Sequence, residues 1–130
     1  MNIAVLNIAS NVGKTVVAKH LLQPRLNLDY LLVGALGDDA HMTKADKKLS
    51  AEDYSDIQDL VIANQHMVVD VSSTHIEQFL QQMAVYEGSH EDYSYFILPT
   101  TNDFKAVVET EKTLQCLLKL GVKPSRIRMV

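Results

Sequence analysis

Cysteine occurs once in the 130 residues, at Cys116. An intramolecular disulfide is therefore excluded. Cys116 falls on the apolar side of a helical pattern, which reads as a small core residue. Long hydrophobic runs are missing as well. No stretch approaches the roughly 18 apolar residues that a membrane span needs. The opening "MNIAVLNIA" is too short for a signal peptide and runs into polar loop residues, so a cytoplasmic location is expected. Positive charge does not dominate: the net charge is −4, which argues against non-specific nucleic-acid binding by the chain as a whole. Lys119, Lys123, Arg126 and Arg128 nonetheless cluster near the C-terminus. They read as a solvated helix end, where cations are favoured, or as a partner-binding or DNA-facing patch. The five histidines, His20, His41, His66, His75 and His90, lack metal-ligand spacing and read as surface or loop positions.

What is present is ordinary globular material, 47% apolar and 22% charged. A chain of this length suits one domain and can bury about two-thirds of its unfolded surface. Met1 to Ile8 reads as a strand buried on both faces. Lys14 to Leu22 reads as a helix stopped by Pro24. Tyr30 to Ala35 is a second strand, and the polar segment Gly37 to Lys48 is a loop. Ser50 can cap a helix carrying Tyr54, Ile57, Leu60 and Val61. "HMVVDV", His66 to Val71, is a third strand. Thr74 and Glu77 form a capping box for a helix with Ile76, Phe79, Leu80 and Met83, and Gly88 can end it. Tyr93 to Leu98 is a fourth strand. Asn102 or Asp103 caps a long helix with Phe104, Val107, Val108, Leu114, Leu117 and Leu118 facing in, and Gly121 ends it. Ile127 to Val130 is a fifth strand. Strand and helix alternate throughout, the pattern of an α/β domain with a parallel sheet. The last residues, "RIRMV", look like the start of a buried strand, and the expectation is a single domain, residues 1–130, that is a piece of a longer protein.

Glycine is scarce where it matters most. "NIASNVGKT" joins the first strand to the first helix, the place of a phosphate-binding P-loop, G-x-x-x-x-G-K-[ST]. The first glycine of that pattern is replaced by Ile8, a β-branched residue that resists positive φ. Only Gly13 remains. Asn11 is the next best residue for left-handed backbone, and Ser10 is small. The chemistry survives if Ile8 ends the strand and the turn falls at Ala9 to Val12. Ser10, Asn11, Val12, Gly13, Lys14, Thr15 and Val16 then form the candidate nucleotide-binding loop. Lys14 supplies charge to the phosphates, backbone N–H groups at the helix N-terminus receive them, and the Thr15 hydroxyl ligates Mg²⁺. The competing reading is a strand–turn–helix with a chance "GKT".

A Mg²⁺–nucleotide site also needs a carboxylate at the end of a buried strand. Asp70 in "MVVDV" stands there, on the edge where ligands bind in parallel sheets. Thr15 and Asp70 are thus the candidate metal residues. Asp38 and Asp39, after the second strand, are candidates for orienting an attacking water, or else belong to a solvated loop.

"MNIAVLNIASNVGKTVVAKHLL", "VVDV" and "YEGSHEDY" resemble the StbB/TraL-type plasmid stability and conjugative-transfer proteins, small members of the ParA/MinD-like group of P-loop ATPases. The resemblance runs over nearly the whole chain. It implies a three-layer P-loop NTPase-like fold with a mainly parallel five-stranded sheet, order 2-3-1-4-5, and helices on both faces. It implies a slow ATPase switch, ATP and Mg²⁺ as cofactors, a homodimer, and a DNA-binding adaptor protein as partner in plasmid partition or DNA transfer, with any direct DNA contact weak. On this resemblance Gly13, Lys14 and Thr15 are the Walker A loop, Asp70 the Walker B carboxylate, and Asp38 or Asp39 the switch aspartate. Lys105 and the Glu109–Thr110 pair stand where the narrower family carries a lysine and an acid–threonine pair, without an assigned role. The chain departs from the wider group at Ala9, where that group has a lysine that reaches across the dimer, and at Ser10 and Asn11, where it has glycines.

Two other functions compete. A degenerate P-loop can serve as a nucleotide-independent dimerisation or adaptor scaffold. A small-molecule phosphotransferase needs an arginine-bearing lid, and Arg25, Arg126 and Arg128 lie in no obvious one.

Overall fold

The computed structural model describes residues 1–10, 12–34 and 46–130. Asn11, Gly37, Asp38 and Asp39 lie outside the described residues. Among the described residues, six strands form one parallel sheet: β1 (Ile3–Val5), β2 (Asp29–Val33), β3 (Lys47–Leu49), β4 (Met67–Val71), β5 (Tyr95–Leu98) and β6 (Ile127–Met129). Their order is β3-β2-β4-β1-β5-β6. This corrects the expected five-stranded sheet in order 2-3-1-4-5. The additional strand is "KKL", at the edge beside β2. It takes in Lys47 and Lys48 from the end of the expected polar loop, because an edge strand half-open to water needs no apolar run, and lysines there discourage further pairing.

Alternation along the strands sorts the core into two layers. Ala4, Leu6, Leu31, Val33, Met67, Val69, Val71, Phe96 and Leu98 face α2 (Tyr54–Asn64), α3 (Ile76–Val85) and α4 (Phe104–Leu120). Ile3, Val5, Tyr30, Leu32, Val68 and Ile97 face α1 (residues 16–26). That helix winds as a π-helix over Val16–Leu22 and as an α-helix over Gln23–Leu26. Pro24 does not stop it. The Gln23 N–H reaches back to the Ala18 carbonyl, and this wider winding accommodates a proline that lacks an N–H and crowds the preceding turn. Asn27, left-handed at φ 52°, closes the helix.

The expected caps hold at Ser50, Asp103 and Gly121 but not at Thr74. Ser50 accepts from the Glu52 N–H at 3.3 Å and caps a 3₁₀ turn, Ala51–Asp53, that leads into α2. Thr74 does not cap α3; its hydroxyl meets Ser72 and His75, and a 3₁₀ turn, Ser73–His75, starts the helix instead. Asp103 caps α4, accepting from the Ala106 N–H at 3.2 Å. Gly121 ends it at φ 98°. The face of α4 is the largest correction. Ala106, Thr110, Thr113 and Leu117 point in, while Phe104 is 82% exposed, Val107 and Val108 are open to solvent, and Cys116 is exposed rather than in the core. Among the described residues, no helix is long and apolar enough to cross a membrane.

Candidate functional site

β1 lies between β4 and β5, with Val5 level with Asp70 on one side and Ile97 on the other. The loop after β1 therefore leaves the carboxyl edge of the sheet next to Asp70. Its opening is shaped by side chains rather than glycine. Buried Asn7 accepts from the Ala9 N–H at 3.0 Å, a local turn that asparagine makes readily. Its amide donates to the Pro99 carbonyl at 2.9 Å and to the Thr110 hydroxyl at 2.7 Å. The Ile8 N–H donates to the Thr113 hydroxyl at 3.0 Å. Ala9 and Val12 pack on Ala106 of the same helix. Two inward threonines of α4 thus satisfy polar groups that a glycine-rich loop leaves to its own backbone. Ile8 is only partly buried and packs against the larger core. Gly13 alone has positive φ in this loop among its described residues, at 87°, and the Val17 N–H bonds its carbonyl at 2.9 Å as α1 begins.

A cleft of about 370 Å³ opens over this turn. Ser10, Val12, Gly13, Lys14, Thr15 and Val16 form one wall, and Asp70, Ser72 and Ser73 the other. All the expected loop residues that are described line it together with Asp70. Asp38, Asp39 and Asn11 lie outside the described residues and are not placed. Lys14 is 8% exposed; its ammonium donates to the Ala9 carbonyl at 2.7 Å and the Ser73 hydroxyl at 2.6 Å. Burial lowers its pKa from the ordinary value of 10.5, and the charges of Asp70 and Glu109 act in the opposite direction. An ammonium carries three N–H donors, and two are used here. Thr15 donates to Asp70 Oδ2 at 3.0 Å.

No protein-family model and no curated protein sequence matches this chain.

Four contributors escaped the sequence reading. Ser73 follows β4 and completes the seat of Lys14. Tyr30, on β2, donates to the same Asp70 oxygen at 2.5 Å. Burial, with the charge of Asp70, pushes its hydroxyl well above the usual tyrosine range, so it stays a proton donor. Asn7 and Thr113 hold the loop. Asn7 left one signal, a polar residue ending an apolar run. Tyr30 left none, since its meeting with Asp70 depends on the register of β2 against β4. Lys105 and Glu109 stand 3.8 Å apart on α4, Lys105 largely exposed. Thr110, next to Glu109, bonds Asn7.

The donor set fits a magnesium nucleotide. It offers one hydroxyl and one carboxylate in contact, a lysine with a spare donor, and a glycine turn at a helix start. Mg²⁺ keeps several waters and takes phosphate oxygens, so one or two protein ligands suffice. Among the described residues, no three His, Cys, Asp or Glu side chains gather as a metal cage.

Proposed function

We propose that the chain is a nucleotide-binding switch of the ParA/MinD-like type, a slow ATPase acting in the cytoplasm in plasmid partition or conjugative DNA transfer. The observation that carries this reading is the convergence of Lys14, Thr15 and Asp70 on one cleft at the carboxyl edge of the sheet. Lys14 would turn its third donor to the phosphates and neutralise charge there. Thr15 and Asp70 would hold Mg²⁺, directly or through water. The bound metal would supply charge neutralisation at the β and γ phosphates. No arginine lines the cleft among the described residues, so turnover without a partner would be slow. The choice of ATP, a homodimer and a DNA-binding adaptor rest on the family resemblance.

The self-satisfied state of the site favours a second reading. Lys14 is bonded inward, and Asp70 already accepts two hydrogen bonds. A nucleotide-independent adaptor scaffold would keep that state. Calorimetry with Mg²⁺–ATP on this chain and on Lys14→Ala separates the two. Saturable binding that disappears in Lys14→Ala is expected. Absence of binding overturns the switch and leaves the scaffold.

A further inference from the structure

Tyr30 is 2% exposed and stands on the sheet face that carries Asp70. It pairs with Val68 in register, and Asp70 is its diagonal neighbour two residues on, within reach of an aromatic side chain. Phenylalanine would fill the same space. A buried tyrosine hydroxyl has to find a polar partner, and this one meets Asp70 Oδ2 at 2.5 Å. Thr15 reaches the same oxygen from the loop at 3.0 Å. Rotating the carboxylate would break both bonds at once. The ring is held in turn: the Lys19 ammonium lies 4.6 Å from its centroid and pairs with Asp46, the residue that leads into β3. Asp46, Lys19, Tyr30 and Asp70 thus form one partly buried chain of contacts from the sheet edge to the site.

We propose that Tyr30 is a positioning residue, fixing the Asp70 carboxylate for a divalent cation, with the Lys19–Asp46 pair fixing Tyr30 from behind. The proposal rests on the nucleotide-switch reading above. Partners of metal-ligating carboxylates typically change metal affinity by about 10- to 100-fold when removed. Tyr30→Phe keeps the ring and deletes only the donor.

The test is calorimetry of ATP binding to the full chain and to Tyr30→Phe across a Mg²⁺ series and in excess chelator. The half-saturating Mg²⁺ concentration is expected to rise about tenfold or more in the variant, with chelator-only ATP affinity unchanged. Mg²⁺ should also perturb the near-ultraviolet tyrosine difference spectrum of the wild type and not that of Tyr30→Phe. Lys19→Gln, which leaves the hydroxyl in place, should raise the Mg²⁺ requirement by about threefold. An unchanged Mg²⁺ requirement in Tyr30→Phe overturns the positioning role while the switch reading stands. Equal losses with and without Mg²⁺ also overturn it, as a merely structural effect. A wild type that binds no nucleotide at any Mg²⁺ concentration overturns both. If Tyr30→Phe does not fold, the Lys19→Gln titration and the wild-type spectrum decide, and the absence of both effects overturns the proposal.

Discussion

Asn7 donates to the hydroxyl of Thr110 at 2.7 Å, across 103 positions of the chain. This bond ties the end of β1 to α4 and places the turn that Ile8 cannot shape by backbone freedom. Thr113 completes it by taking the Ile8 N–H at 3.0 Å, its own proton held by the Glu109 carbonyl at 2.9 Å. Removing Asn7 takes the partner from two buried groups, the Ala9 N–H and the Pro99 carbonyl, and each costs about 1–3 kcal/mol when left unpaired. Asn7→Ala is therefore expected to lose roughly 2–3 kcal/mol in urea unfolding. Thr113→Val should lose about 1–2 kcal/mol. Both should weaken nucleotide binding, since the loop loses its anchor. Wild-type stability in Asn7→Ala would show that the Asn7 bonds do not hold the loop.

Lys14 should oppose stability while serving the site. Its pKa is lowered by burial, so the charged form is disfavoured in the fold. That cost is fully present below the lowered value and is relieved as pH rises from there to the ordinary 10.5. Lys14→Met should raise the Tm by a few degrees at neutral pH. Ser73 still donates to the Ala9 carbonyl, at 3.2 Å, so that acceptor stays paired. The gap between variant and wild type should narrow as pH rises through that window. Scanning calorimetry at several pH values checks this, and a destabilised Lys14→Met at every pH would contradict it.

Two glycines separate backbone strain from crowding. Gly13 sits at φ 87° with nothing within 4 Å of an added Cβ. Gly13→Ala should cost about 1–2 kcal/mol, the left-handed penalty alone. Gly121 sits at φ 98°, and an added Cβ would stand 3.2 Å from His90 Nε2. Gly121→Ala should therefore cost more than Gly13→Ala in the same unfolding experiment. Nucleotide affinity should fall only in Gly13→Ala.

Alkaline pH should unfold the chain partly through Tyr54. Burial, aided by the charge of Asp92 and opposed by the hydrogen bond with Ser89, pushes its hydroxyl up to about 12. The unfolded phenol ionises near 10. Its contribution is intact below about 10 and is lost as pH climbs to about 12. Urea unfolding of Tyr54→Phe should show a shallower loss over that interval than the wild type, and equal slopes would remove Tyr54 from the account.

The apolar strands, the GKT turn at a helix start and Asp70 near the end of "MVVDV" were readable because hydrophobic period and strand and helix ends are local properties. β3 was not, because "KKL" earns its strand only from β2 beside it. The face of α4 misled for a related reason. Phe104, Val107 and Val108 satisfy a helical apolar pattern, yet the helix turns Thr110 and Thr113 inward, where Asn7 and the Ile8 N–H need partners.

The sequence by itself determined the alternation of strand and helix and brought Lys14 and Thr15 onto one turn, since hydrophobic period and helix starts are local properties. Only the tertiary structure decided how a loop short of glycine is held and which groups surround Asp70. Hydrogen bonds between residues far apart in the chain depend on strand register and helix rotation. Those follow from packing the whole sheet against its helices, which no single stretch of sequence carries.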